Sequence, residues 1–114
     1  MTTHVIEVND GTFEAEVLRS RTPVLVDFGA RWCGPCKLLL PVLEGLAAEH
    51  SGQFKVVKVD IDDSPQVARR YSIRSAPTLM VFRDGERTAQ HVGLTSRARL
   101  LAMVAPASPG ADAR

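Results

Sequence analysis

A single α/β domain is the fold class this sequence predicts, and three observations predict it. Apolar runs that read as strands alternate along the chain with stretches whose apolar residues recur at helical spacing. One run, Val24-Leu25-Val26-Asp27-Phe28, is apolar on both faces, as in the buried centre of a sheet covered on both sides. Finally, 114 residues suffice for one hydrophobic core, and no internal repeat or linker divides them.

Each element follows in order. His4–Val8 reads as a short first strand. Asn9-Asp10-Gly11-Thr12 is a turn with capping residues, and Phe13–Arg19 a helical stretch with Phe13, Val17 and Leu18 on one face. Thr22-Pro23 punctuates before the strand Val24–Phe28. Gly29-Ala30-Arg31 then leads into Trp32-Cys33-Gly34-Pro35-Cys36-Lys37 and a long helix to about His50, with Leu39, Val42, Leu43, Leu46 and Ala47 at helical spacing. Pro41 removes the amide that would bond to Lys37, so a kink is expected there. Ser51-Gly52 ends that helix and Phe54–Ile61 is a Val-rich third strand. Ser64 as cap and Pro65 in the first turn start a shorter helix running to about Tyr71. Thr78–Phe82 and Thr88–Val92 flank Arg83-Asp84-Gly85-Glu86 as a β-hairpin. Ser96–Val104 closes as an amphipathic helix, and residues 106–114, rich in Ala, Pro and Gly, are expected to fray.

Composition narrows the function. With 14 basic and 13 acidic residues the net charge is +1, which argues against nucleic acid or an anionic membrane as partner. The first residues carry neither a basic segment nor a long apolar run, and no stretch approaches membrane-spanning length. A cytosolic setting is the expectation, where thiols are kept reduced and a C-x-x-C is catalytic or metal-binding rather than structural.

Cys33 and Cys36 are the only cysteines. Two intervening residues at a strand-to-helix junction bring the sulfurs within disulfide reach if the segment is helical. At a helix N-terminus the unpaired amides and the macrodipole favour a thiolate. A thiolate that attacks a foreign disulfide, with a second thiol beside it to release the product, makes a dithiol redox site. Zinc fits poorly, because it needs about four ligands and His4, His50 and His91 are scattered without ligand spacing. Taken alone, Asp27 is either a buried carboxylate or the solvent-facing end of a strand, Lys58 is a solvated strand residue, and Pro77 a trans proline opening an edge strand.

Several separated motifs change those readings. Val26-Asp27-Phe28, Trp32–Lys37, Pro41, Lys58-Val59-Asp60, Arg74-Ser75-Ala76-Pro77-Thr78, Phe82-Arg83-Asp84-Gly85 and Val92-Gly93 together resemble the thioredoxin family over nearly the whole chain. The resemblance implies a thioredoxin fold, a central mixed β-sheet of about five strands flanked by about four helices. The domain would span 1–105, with 106–114 as a flexible tail. It implies protein disulfide reduction through a redox-active Cys33–Cys36 pair. Cys33 would be the more exposed nucleophile, aided by the charges of Arg31 and Lys37, and Cys36 the sheltered resolving thiol. Asp27 would lie beneath the pair with a raised pKa and accept the Cys36 proton, with Lys58 tuning it. Pro77 would be cis against the cysteines, presenting Ala76 to an extended client. Trp32, Gly34, Pro35, Ala76, Pro77, Val92 and Gly93 would form a flat apolar docking surface. The resemblance further implies a chain that binds no cofactor and is re-reduced by a thioredoxin reductase using NADPH and flavin; no metal is expected, and nothing in the sequence demands more than a monomer.

Two positions depart from the family pattern. Gly29 stands where a tryptophan is usual, which either opens a void or lets neighbours fill it. Ala76 is smaller than the usual branched residue before the proline. Two other functions remain in play: an oxidase or isomerase on the same fold, which Gly34-Pro35 disfavours, and a binding module that uses the apolar surface without the thiols.

Overall fold

The computed structural model describes residues 4–105; the expected tail at 106–114 lies outside the described residues. The strands are β1 Ile6–Val8, β2 Val24–Gly29, β3 Lys55–Asp60, β4 Thr78–Arg83 and β5 Glu86–Val92. The helices are a π-helical turn Glu14–Leu18, α1 Gly34–Glu49, α2 Pro65–Arg70 and α3 Arg97–Val104. The strands form one mixed sheet in the order β1-β3-β2-β4-β5. β1 and β2 run parallel to β3, whereas β4 lies antiparallel to both β2 and β5.

β2 holds the centre because all six of its residues are buried, as its unbroken apolar run requires. Strand alternation sends Leu25, Asp27 and Gly29 to one face and Val26 and Phe28 to the other. On the first face α1 and α3 supply Leu39, Leu43, Leu46 and Leu100 against Leu25 and Leu79. On the second, Phe13 and Val17 cover Val26, Phe28 and Met80. Phe13 and Tyr71 both meet Phe82 edge-on, with ring centroids 5.8 and 5.3 Å away, a favoured aromatic geometry. Asp84 and Gly85 turn the β4–β5 hairpin with φ of 52° and 82°, which suits the right-handed twist of the strands. A side chain at position 85 would begin 3.1 Å from the Leu18 carbonyl oxygen, so glycine is needed there for space as well.

The structure differs from the sequence expectation at three places. The helical stretch 13–19 is a single π turn in which the Arg19 amide donates to the Glu14 carbonyl five residues back, at 2.9 Å. The spacing of Phe13 and Val17 sets the buried side, and both are buried, but it does not choose the hydrogen-bond ladder. Ser64 precedes α2 but its hydroxyl makes no capping bond. The Asp10 carboxylate caps instead, accepting from the Gln66 and Val67 amides at 3.2 and 2.9 Å. Strand ends shift by one or two residues, with β5 beginning at Glu86 rather than Thr88. α1 runs continuously past Pro41, which sits on its exposed side. No helix among the described residues is long and apolar enough to cross a membrane.

Candidate active site

The loop after β2 delivers Cys33 to the N-cap of α1 with extended backbone, φ −91° and ψ 109°. Its Sγ accepts the Cys36 amide at 3.2 Å, one of the helix-terminal donors that has no partner within the helix. Pro35 occupies the first turn, where its missing N–H costs nothing. The two cysteines are joined as a disulfide with Cα atoms 5.3 Å apart. Both are buried, Cys33 at 3% and Cys36 at 6% exposure, so the expected greater exposure of Cys33 is not found. The reason is local packing: Ala30, Ala76 and Ile61 close around the bonded pair.

Neighbouring side chains tie this loop to the segment after β3. Trp32 is 66% exposed, yet its indole N–H donates to the Asp62 carboxylate at 2.9 Å. Arg31 binds Asp63 at 2.9 Å and approaches Asp60 at 3.7 Å. Such exposed pairs add little stability, but they fix the loop's position. Sequence reasoning missed Asp62 and Asp63 and gave Asp60, quoted only within Lys58-Val59-Asp60, no role; the run Asp60-Ile61-Asp62-Asp63 after a strand end was the signal present.

Beneath the disulfide lies Asp27, 1% exposed, with Oδ1 lacking a hydrogen-bond partner among the described residues. Burial pushes its pKa up to about 7, and Lys58, opposite it on β3, pulls weakly the other way. Lys58 is half-buried, with Nζ 4.0 Å from Glu7. A Cβ placed on Gly29 would sit 3.3 Å from Cys36 Sγ and 3.8 Å from Asp27 Oδ1, so sulfur and carboxyl flank the same point. A cavity of about 440 Å³ lies beside it, with Asp27, Gly29, Cys36, Leu40, Lys58 and Ser64 in its lining.

The opposite side of the pair is apolar. The Ala76–Pro77 peptide is cis, Pro77 is buried, and half-buried Ala76 packs on the cysteines. Gly93, at φ 98°, donates its amide to the Pro77 carbonyl at 2.8 Å, joining the end of β5 to this loop. Trp32, Gly34, Pro35 and Val92 are exposed. Leu38 and Leu94 are exposed apolar residues that the sequence reading did not single out. His50 pairs with Gln53 and stacks on Phe54. No group of three or more His, Cys, Asp or Glu among the described residues could hold a metal.

The family model Thioredoxin matches residues 4–106. The chain belongs to the thioredoxin family. It is 53% identical to thioredoxin 1 of Synechococcus elongatus over 82% of its own length and 87% of that protein's. It is 46% identical to thioredoxin C-2 of Corynebacterium nephridii, and 43% to a thioredoxin of Pseudomonas aeruginosa, in both cases over 91% of this chain and 96% of the relative. Its activity is thioredoxin-type dithiol–disulfide exchange, that of a disulfide oxidoreductase. The fold expected from the resemblance is the one found.

In this thioredoxin Trp32 is the only tryptophan and is the residue next to Cys33. Its emission is expected to change on reduction with dithiothreitol, and Asp62→Asn, which removes the carboxylate partner, should alter the emission of both redox states. An emission spectrum indifferent to reduction would contradict coupling between the indole and the pair.

Proposed function

We propose that this thioredoxin is a general reductant of protein disulfides, with Cys33 as nucleophile and Cys36 as resolving thiol. The Cys33 thiolate attacks a client disulfide sulfur, breaking the client bond and forming a mixed disulfide. Cys36 passes its proton to Asp27 and attacks Cys33 Sγ, expelling the client's second sulfur as thiolate. The client gains two electrons and the dithiol loses them. Lys58 holds the Asp27 pKa within reach of neutral pH. Trp32, Gly34, Pro35, Ala76, Pro77, Val92 and Gly93 accept the extended client, whose backbone pairs with Ala76.

One observation carries this reading: a disulfide at a helix N-terminus stands over a buried carboxyl, its Oδ1 without a hydrogen-bond partner among the described residues and its pKa raised to about 7. A thioredoxin reductase using NADPH and flavin would restore the dithiol, and the chain itself binds no cofactor. We place it in the cytoplasm as a monomer of one domain over 1–105 with 106–114 as its tail. The test couples NADPH oxidation to reduction of a protein disulfide with a thioredoxin reductase present. Turnover catalytic in this chain is expected. Equilibration against glutathione should also give a potential below the glutathione couple; a value well above it would transfer the protein to oxidases or isomerases.

A further inference from the structure

Strand pairing puts five residues in one row across the sheet: Glu7 on β1, Lys58 on β3, Asp27 on β2, Leu79 on β4 and His91 on β5. Paired residues on neighbouring strands share a face and stand about 4.8 Å apart. Lys58 therefore has a carboxyl group on each side, both within reach of its four-carbon stem. The two are unlike. Asp27 is 1% exposed at the centre of the sheet, whereas the Glu7 side chain is 77% exposed on the edge strand.

The ammonium has gone to the edge. Lys58 Nζ lies 4.0 Å from Glu7 Oε1, and no ion pair joins it to Asp27 among the described residues. A cation that follows Glu7 keeps its head near water, while one that turned to Asp27 would be buried with it. The remaining charges around Asp27 are otherwise placed. Of those that line the cavity with it, Arg31 is held by Asp60 and Asp63, and Lys37 is exposed on α1 beside Cys36. β4 offers only Leu79 in this row, with His91 beyond it. Glu7 is thus the acid that decides where the Lys58 ammonium sits.

A carboxylate paired with an ammonium is held ionised and is the poorer proton acceptor for it. With Lys58 drawn away, burial governs Asp27 and raises its pKa to about 7 against a weaker pull from Lys58. We infer that Glu7 is a positioning residue for disulfide exchange: by drawing the Lys58 ammonium to the edge of the sheet, it keeps Asp27 able to take the proton from Cys36. The proton leaves Cys36 Sγ for an Asp27 carboxylate oxygen, and the thiolate so formed attacks Cys33 Sγ. That transfer is the one proposed above, and the role of Glu7 rests on it.

The test follows the Asp27 carboxyl by carbon-13 NMR in the oxidised full chain, with Asp27→Asn identifying its resonance. Glu7→Gln removes a charge from an exposed side chain and keeps its shape, so the fold should stand. The Asp27 midpoint is expected to fall by about half a pH unit, the scale of an exposed ion pair. In a Lys58→Met background the same substitution should leave the midpoint in place, because the cation through which Glu7 acts is gone. A midpoint unmoved by Glu7→Gln, or a fall as large without Lys58 as with it, overturns the inference and leaves the proton role of Asp27 intact. Single-turnover reduction of a quenched peptide disulfide supplies the kinetic readout, and the pH profile of its resolution step should move down with the NMR midpoint. A profile that stays while the midpoint moves overturns the proton role of Asp27 and the inference together.

Discussion

Cys33→Ser is expected to abolish reduction of protein disulfides, and Cys36→Ser to arrest it after the first step. The two thiols are three residues apart and have different surroundings. Cys33 caps α1 and accepts the Cys36 amide, so its thiolate is the one stabilised by the helix terminus. Cys36 lies one turn further in, over Gly29 and Asp27. Without Cys33 the proposed nucleophile is gone, and single-turnover reduction of a protein disulfide should drop by at least roughly a thousandfold, as for loss of any covalent nucleophile. Without Cys36 the first displacement still occurs, but nothing attacks the resulting bond. A disulfide-linked adduct of chain and client should then persist and be visible by mass spectrometry under non-reducing conditions. An adduct accumulating in Cys33→Ser instead would exchange the two roles.

Much of this site is legible in the sequence because it is local or periodic. The run Val24–Phe28 announces a buried strand whatever else the chain does, and it is the central strand of the sheet. The C-x-x-C marks its own helix terminus, since Gly34-Pro35 and the following apolar spacing leave no other place for the helix to start. What the sequence hides are partners set by tertiary approach. Nothing in Asp10 distinguishes it as the cap of α2, 56 residues away in sequence from Gln66, and Ser64 has the better local credentials for that role. The Trp32–Asp62 bond joins two loops and has no period. Likewise the burial of Cys33 depends on Ala76 and Ile61, which arrive from other elements. The π turn is hidden for another reason: Phe13 and Val17 satisfy the same face in either ladder.

Gly29 joins these two categories. As a departure from family pattern it is visible in the chain, and a void or a refilled space are equally good outcomes on sequence alone. Asp27 and Gly29 share the α1 face of β2, and Lys58 and Asp60 lie opposite them on β3. Four neighbouring positions on this face, two on each strand, thus carry a polar side chain or none. None of the four is a bulky apolar residue, in keeping with the open space beside them and with an Asp27 Oδ1 that has no hydrogen-bond partner among the described residues.

Asp27→Asn is expected to stabilise the oxidised protein in alkaline solution while leaving its stability in acid nearly unchanged. Folding moves the Asp27 pKa from 3.8 to about 7, with burial as the main cause. Below the lower value the carboxyl is protonated in both the folded and the unfolded chain, so folding carries no ionic cost. As pH rises from about 4 the unfolded carboxyl ionises while the folded one does not, and the folded state loses stability continuously until its own carboxyl ionises near 7. Above that value the loss is complete, on the order of 4 kcal/mol for a shift of this size. Asparagine reproduces the shape of the neutral acid and never ionises. Urea denaturation of both oxidised proteins should therefore give a stability difference that is small near pH 4 and several kcal/mol in favour of asparagine near pH 8. A difference independent of pH would mean that the Asp27 carboxylate is solvated in the folded protein, through the cavity beside it. The same substitution removes the proton acceptor assigned to Cys36, so stability gained should be accompanied by slower resolution of the mixed disulfide. Below pH 7, where Asp27 is already protonated, wild type and variant should resolve at converging rates; rapid single-turnover kinetics across that range measure the convergence directly.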